Sequence, residues 1–377
     1  MAETMTNDER VWAALLYKEK PDRVPVVPAV SQYTAAYYQG ITNAQSHDTE
    51  MGINALIKTY DDLGGYDAVY LDLPLIEAFQ ILVYQQPMRW KVPGRDLPDD
   101  YINQVVEAEV LKKEDYDRII EEGWDKFYEE DYILRITDWK AEDVPNQWAL
   151  IEKIGTVGAE AWGKRGVQAM FGWGECLPFF KLSLSRSFLP FTEDLYFDKE
   201  RVERAIKVMN DEMIPRHIQM IKESGINHIL VGEERSSGYH YPPEIFERFW
   251  MPYSKKMVEA YWDEGIFTTF HLDTDFTKNL ESFKQLPKGS FCLHFDSTTD
   301  MVNAKNVLRG HCSLMGDVPA SLLSIGSPEE VEGYCQNLID KVGDDGGFIL
   351  NAGCECPADA KPENLRAMIE TAKKAFY

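Results

Sequence analysis

Basic residues are scarce in this chain. Over 377 residues, 39 Lys and Arg face 63 Asp and Glu, a formal net charge of −24. A surface that acidic repels phosphate backbones and anionic lipid heads, so neither nucleic acid nor membrane is expected as a partner. Long apolar runs are also missing, and none approaches the ~20 residues that a membrane span needs. The opening MAETMTNDERVWAALL lacks the basic start and apolar block of a secretory signal, so a cytoplasmic location is expected. Only six cysteines occur, too few for a disulfide scaffold at this length, and a reducing compartment would keep them as thiols. No internal repeat and no low-complexity linker divides the chain. No GxGxxG turn follows an early strand, which argues against a doubly wound nucleotide-binding sheet.

What the chain does have is a 44% hydrophobic and 12% aromatic share, enough to fill a large core. Short apolar runs alternate with longer amphipathic stretches. The runs are 24–30 (VPVVPAV), 66–72 (YDAVYLD), 166–172 (GVQAMFG), 226–232 (INHILVG), 266–271 (IFTTFH), 290–295 (SFCLHF), 312–316 (CSLMG) and 347–350 (GFIL). These eight read as strands buried on both faces, as parallel strands are. Helical patterns follow at 198–224, 242–264, 327–342 and 362–376. The third begins with a capping box, Ser327 with Glu330 three residues on. Repeated strand–helix alternation predicts an α/β fold, a (β/α)8 TIM barrel with an N-terminal helical extension. The segment 85–143 is turn-rich, then acidic and helical, and reads as a solvated insertion. A single barrel domain spanning 1–377 is the expected organisation.

Active sites in such barrels lie at the carboxyl ends of the strands. Run 226–232 ends in Glu233, Glu234 and Arg235. Run 266–271 ends at His271, with Asp273 two residues on and on the same face if the strand continues. Run 347–350 leads into Asn351-Ala352-Gly353-Cys354-Glu355-Cys356. Imidazole, carboxylate and thiol on one rim fit a divalent metal, and the mix of N, O and S donors favours zinc. The plain alternative stays open, because a strand-end histidine is more often a hydrogen-bonded rim residue than a ligand. Among the aromatics that follow strand ends, Trp173 and Tyr241 are the candidate substrate contacts, with packing as the alternative for each.

Several stretches resemble the uroporphyrinogen decarboxylase superfamily, in particular its corrinoid-dependent methyltransferase branch. They are TNDERVWAALLYKEKPDRVPVVP (6–28), YPPEIFERFWMPYSKKMVEAYWDEGIFTTFHLD (241–273), GDVPASLLSIGSPEEV (316–331) and GGFILNAGCECPADAKPENLRAMIE (346–370). The resemblance implies a barrel that moves a methyl group to or from the cobalt of a corrinoid carried by a separate protein. In the thiol-methylating branch, zinc is held by a His-x-Cys pair and a late Cys. Here the His falls on His271 and the late Cys on Cys354, but the first Cys falls on Asp273. An upstream acidic ligand falls on Glu233, with Glu234 as its rival.

The departure at Asp273 has a chemical consequence. Carboxylate in place of thiolate makes zinc a harder ion, better at pulling on oxygen than at activating sulfur. The expected activity is therefore demethylation of a methoxylated compound, an aryl methyl ether above others, with Asp273 and Glu233 as catalytic residues. Methylation of a thiol by methyl-cobamide is the alternative. Porphyrinogen decarboxylation is disfavoured because VPAVSQYTAAYYQG (27–40) holds no cationic clamp for substrate carboxylates. A non-enzymatic corrinoid-binding subunit is disfavoured because no Asp-x-His-x-x-Gly segment could supply a lower cobalt ligand.

Overall fold

The computed structural model describes residues 3–70, 73 and 80–377. Two short antiparallel strands, β1 (Arg89–Lys91) and β2 (Gln104–Val106), form a hairpin within the 85–143 segment. The remaining strands are all parallel and lie in sequence order: β3 (Trp173–Cys176), β4 (His228–Glu233), β5 (Phe267–Leu272), β6 (Phe291–Phe295), β7 (Ser313–Val318) and β8 (Phe348–Ala352). Two further staves close the sheet through isolated bridges. Val26 pairs with Leu350 of β8, and Val69 pairs with Ala169 just ahead of β3. Asp67 N donates to Val26 O at 3.0 Å, which joins the two staves to each other. The result is the eight-membered barrel expected from the eight apolar runs. The last two residues of the second run, 71 and 72, lie outside the described residues.

The third run was expected to end at Gly172, but the strand continues. Gly172 N donates to His228 O at 2.8 Å, and Trp173 takes register with Ile229. Apolar content falls off at Gly172 while the backbone ladder does not, so Trp173 stands inside the strand and not beyond it. The helix expected over 242–264 is two helices, Pro243–Phe249 and Met251–Asp263, broken at Trp250. Pro252, in the first turn of the second helix, has no N–H to carry a ladder across the junction. The capping box at Ser327 forms as expected, with Glu330 N donating to Ser327 Oγ.

Alternation along the strands separates an inner from an outer set. Phe267, Cys292, Met315 and Ile349 meet Val27, Ala68 and Met170 inside the barrel. Val11, Ala14 and Leu15 of the helix Asn7–Leu16 join the same cluster and plug the amino end. The 85–143 segment is less solvated than its charge suggests. Tyr116, Ile119, Trp124, Phe127, Tyr128 and Tyr132 are buried in the main core, while Arg118 and Arg135 pair with Asp131 on its outer side.

The amino end is held by buried charge. Asp67 accepts from Arg10 Nη1, from both terminal nitrogens of Arg23 and from Val26 N, each at 2.8 Å. One carboxylate thus links the plug helix, the first stave and the second. Asp67→Ala would leave two guanidinium groups buried with too little negative charge nearby. Such a loss costs about 3–5 kcal/mol, and chemical denaturation of the variant is expected to show a destabilisation of that order.

Candidate active site

β5 carries His271 near its end on the inward face, in the same alternation as Phe267 and Thr269. Asp273 N donates to Glu233 O at 3.1 Å, which extends the ladder one step beyond β5. Asp273 therefore keeps the inward face that His271 has. Cys354 arrives from the turn after β8. Gly353 permits that turn, because a Cβ there would lie 2.8 Å from the backbone carbonyl of Asp296.

These three side chains meet. His271 Nε2 lies 3.3 Å from Asp273 Oδ1 and 3.4 Å from Cys354 Sγ. One ligating atom from each lies within 4.8 Å of the others, and this is the one such trio among the described residues. Burial alone would discourage a charge on His271, but the Asp273 carboxylate and the Cys354 sulfur outweigh it and hold its pKa well above the ordinary value. Burial likewise opposes ionisation of Asp273, and His271 reverses this to hold it below the usual carboxylate range. A nitrogen, an oxygen and a sulfur converging on one point match the donor set of zinc.

The fourth sequence candidate is not part of this cluster. Glu233 shares the outward face of β4 with Ile229 and Val231. Its Oε1 accepts from the N–H groups of Glu234, Arg235 and Ser236 at 2.9–3.1 Å, and its Oε2 accepts from Trp250 Nε1 at 2.9 Å. Four donors thus hold this carboxylate in the turn after β4. Burial pushes its carboxyl up to about 7 despite those donors. Glu233 is thus turned away from His271, Asp273 and Cys354, which meet without it. Glu234, just past the end of β4, feels the charge of the trio: its pKa is raised by burial and by repulsion from Asp273, with Arg235 opposing.

The two aromatic candidates each pack against another ring. Trp173 points outward with Ile229 and stacks on Trp148, ring centroids 6.4 Å apart, beside a cavity of about 20 Å³ outside the barrel wall. Tyr241 is buried, bonds Thr192 Oγ1 at 2.9 Å and stacks on Phe188. Cys356 is buried too, with its N–H bonded to Ala29 O, and stands apart from the trio.

His294, which sequence reading passed over, stands behind His271. Its Nδ1 is 2.9 Å from His271 Nδ1 and 2.9 Å from Tyr70 Oη, and its Nε2 is 2.8 Å from Ala352 O. Burial, helped by His271, pushes its pKa down to about 3. The usable signal was the position: His271 and His294 occupy paired places in β5 and β6.

Residues 182–375 match the family model described as uroporphyrinogen decarboxylase, and the chain belongs to that family. The matched span contains His271, Asp273, His294 and Cys354. A methylcobamide:CoM methyltransferase of Methanosarcina mazei is 28% identical over 156 residues, which cover 41% of this chain and 44% of the relative. A uroporphyrinogen decarboxylase of Idiomarina loihiensis is 23% identical over 194 residues, 50% of this chain and 52% of the relative. The chain thus spans about half the length of the curated relatives it matches. A solved methyltransferase from Methanosarcina mazei shares the fold, with a TM-score of 0.72 at 16% identity over 98% of this chain and 99% of that one. Similarity to the methyltransferases agrees with the resemblance read from the sequence. No helix among the described residues is long and apolar enough to cross a membrane.

The geometry separates Glu233 from the trio experimentally. Glu233→Gln sets an amide N–H against Trp250 Nε1–H, and a buried donor left unsatisfied costs about 1–3 kcal/mol. Chemical denaturation should show that loss, while metal analysis should show the same metal content per chain as the wild type.

Proposed function

We propose that this chain is a zinc-dependent methyltransferase that takes a methyl group from a methoxylated substrate, an aryl methyl ether above others, and passes it to the cobalt of a separate corrinoid protein. The observation that supports it is the convergence of His271, Asp273 and Cys354 at the carboxyl mouth of the barrel. Three protein donors leave a fourth position free, which is the arrangement of catalytic zinc sites. His271 Nε2, Asp273 Oδ1 and Cys354 Sγ would hold the ion. Bound there, zinc supplies Lewis acidity toward an oxygen atom.

The chain's own residues define the rest. Asp273 contributes oxygen where the thiol-methylating pattern has sulfur, and a harder centre suits an ether better than a thiol. In the transfer the methyl–oxygen bond breaks and a methyl–cobalt bond forms, so the oxygen departs with its electron pair and needs a proton. Glu234 stands beside the trio, and burial with repulsion from Asp273 favours its protonated form. We assign to it the delivery of that proton. The rim can receive a macromolecular partner. Tyr239, six residues after the end of β4, is exposed there. A corrinoid protein must approach that end to bring cobalt to the trio.

A second reading has its own support. Two of the relatives are methylcobamide:CoM methyltransferases, whose acceptor is a thiol. The test is to mix the zinc-loaded protein with a reduced corrinoid protein and a panel of methoxyarenes, and to follow cobalt methylation by visible absorbance. Parallel reactions would offer methylated corrinoid and a thiol. Methylation of cobalt by a methoxyarene supports ether demethylation, whereas thiol methylation alone would replace that reading by the second.

His271→Ala and Cys354→Ala should each lose most bound zinc and nearly all methyl transfer, because both affinity and Lewis acidity depend on the ligand count. Full zinc occupancy in either variant would contradict the assignment. Asp273→Cys should retain zinc but turn over the ether more slowly. A loss of ~2–3 kcal/mol in transition-state stabilisation corresponds to roughly a hundredfold in rate, and it should appear in kcat more than in KM. Unchanged ether turnover in this variant would remove the argument from ligand hardness.

A further inference from the structure

We infer that His294 is a positioning residue that fixes which nitrogen of His271 faces the metal; this rests on the zinc reading above. The argument starts at Ala352. Its carbonyl oxygen can only accept, so His294 Nε2, 2.8 Å away, carries the hydrogen. His294 is fully buried, and its three polar neighbours are a carbonyl, a phenol and an imidazole, with no carboxylate among them. A second proton would bury a positive charge with no carboxylate in hydrogen-bond contact, so the ring is neutral and its Nδ1 is bare. A bare nitrogen is an acceptor. Its one lone pair faces His271 Nδ1 at 2.9 Å, a contact that needs one hydrogen between the rings, so His271 supplies it, and the Tyr70 hydroxyl lies 2.9 Å to the side.

His271 therefore keeps its proton on Nδ1 and turns Nε2 toward Asp273 and Cys354. This holds whether or not Nε2 is also protonated in the metal-free chain, since Nδ1 donates in both cases. A free imidazole exchanges between its tautomers, and the wrong one would offer a hydrogen to the metal in place of a lone pair. The relay also ties the ligand-bearing strands together. It runs from β5 through β6 to Ala352 of β8, two residues before Cys354, with Tyr70 of the second stave on its flank. Ligand orientation is thus set by groups that never touch the metal.

The experiment measures zinc affinity by competition with a chromophoric chelator in wild type, His294→Leu and His294→Asn. Leu removes the acceptor, and affinity should fall about 10–100-fold, as with other lost outer partners of a ligating His. Asn can place Oδ1 where Nδ1 was, so its affinity should stay within about threefold of wild type. Histidine ¹⁵N NMR of the zinc-loaded wild type should show metal on His271 Nε2 and hydrogen on Nδ1. Wild-type affinity in His294→Leu, an equal loss in both variants, or metal on His271 Nδ1 would each overturn the inference while leaving the zinc site standing. Failure of the wild type to bind zinc would overturn both.

Discussion

In a closed parallel barrel only every second side chain can reach the interior, and this constraint decides which residues meet. It puts His271 and Asp273 on one face of β5, and His294 beside them on β6. It also sends Glu233 outward and Glu234 inward, although the two are adjacent and chemically identical. The outward carboxylate becomes a turn-shaping acceptor for three backbone N–H groups and an indole. The inward one feels the charge of Asp273. A one-residue shift in the register of β4 would exchange their roles.

Register is protected at both ends of the barrel. At the amino end Asp67 binds Arg10 and Arg23, so the plug helix and the first two staves cannot slide independently. At the carboxyl end Gly353 lets the turn after β8 pass against Asp296, where any side chain would push Cys354 away. Between them the inner cluster of Phe267, Cys292, Met315 and Ile349 supports His271 and His294 from below. Buried ionic groups are weak evidence of net stability, but they specify arrangement, since one partner without the other is strongly unfavourable.

The barrel was legible because its staves are buried on both faces and so read as continuous apolar runs. His271 and Asp273 were legible as a pair from their spacing, and Cys354 from its place after the last stave, with the family pattern singling it out from Cys356. The differences have physical origins. Trp173 was favoured as sitting just after a strand end, but an apolar run does not mark where a hydrogen-bond ladder stops, and Trp173 lies inside β3. The 85–143 segment was judged by its charge, whereas Tyr116, Ile119, Trp124 and Phe127 recur at spacings that bury one side of it. Glu233 and Glu234 could not be separated without the register of β4. His294 was hidden inside SFCLHF, where a histidine among apolar neighbours looks like core. It is core, and its burial is what makes it useful.

The polar frame around the candidate metal position does not run through residue 273. His271 is oriented by His294, which is oriented by the backbone of Ala352 and flanked by Tyr70. Cys354 is delivered by a glycine turn that depends on Asp296, not on Asp273. The donor at 273 can therefore change from sulfur to oxygen without rebuilding what aims the other two. With a metal held there, oxygen would make the centre harder and alter which leaving group it could assist. A scaffold built this way separates geometry from reactivity. The barrel and its histidine relay hold the donors in place, and a single position after β5 sets the electronic character of the site they form.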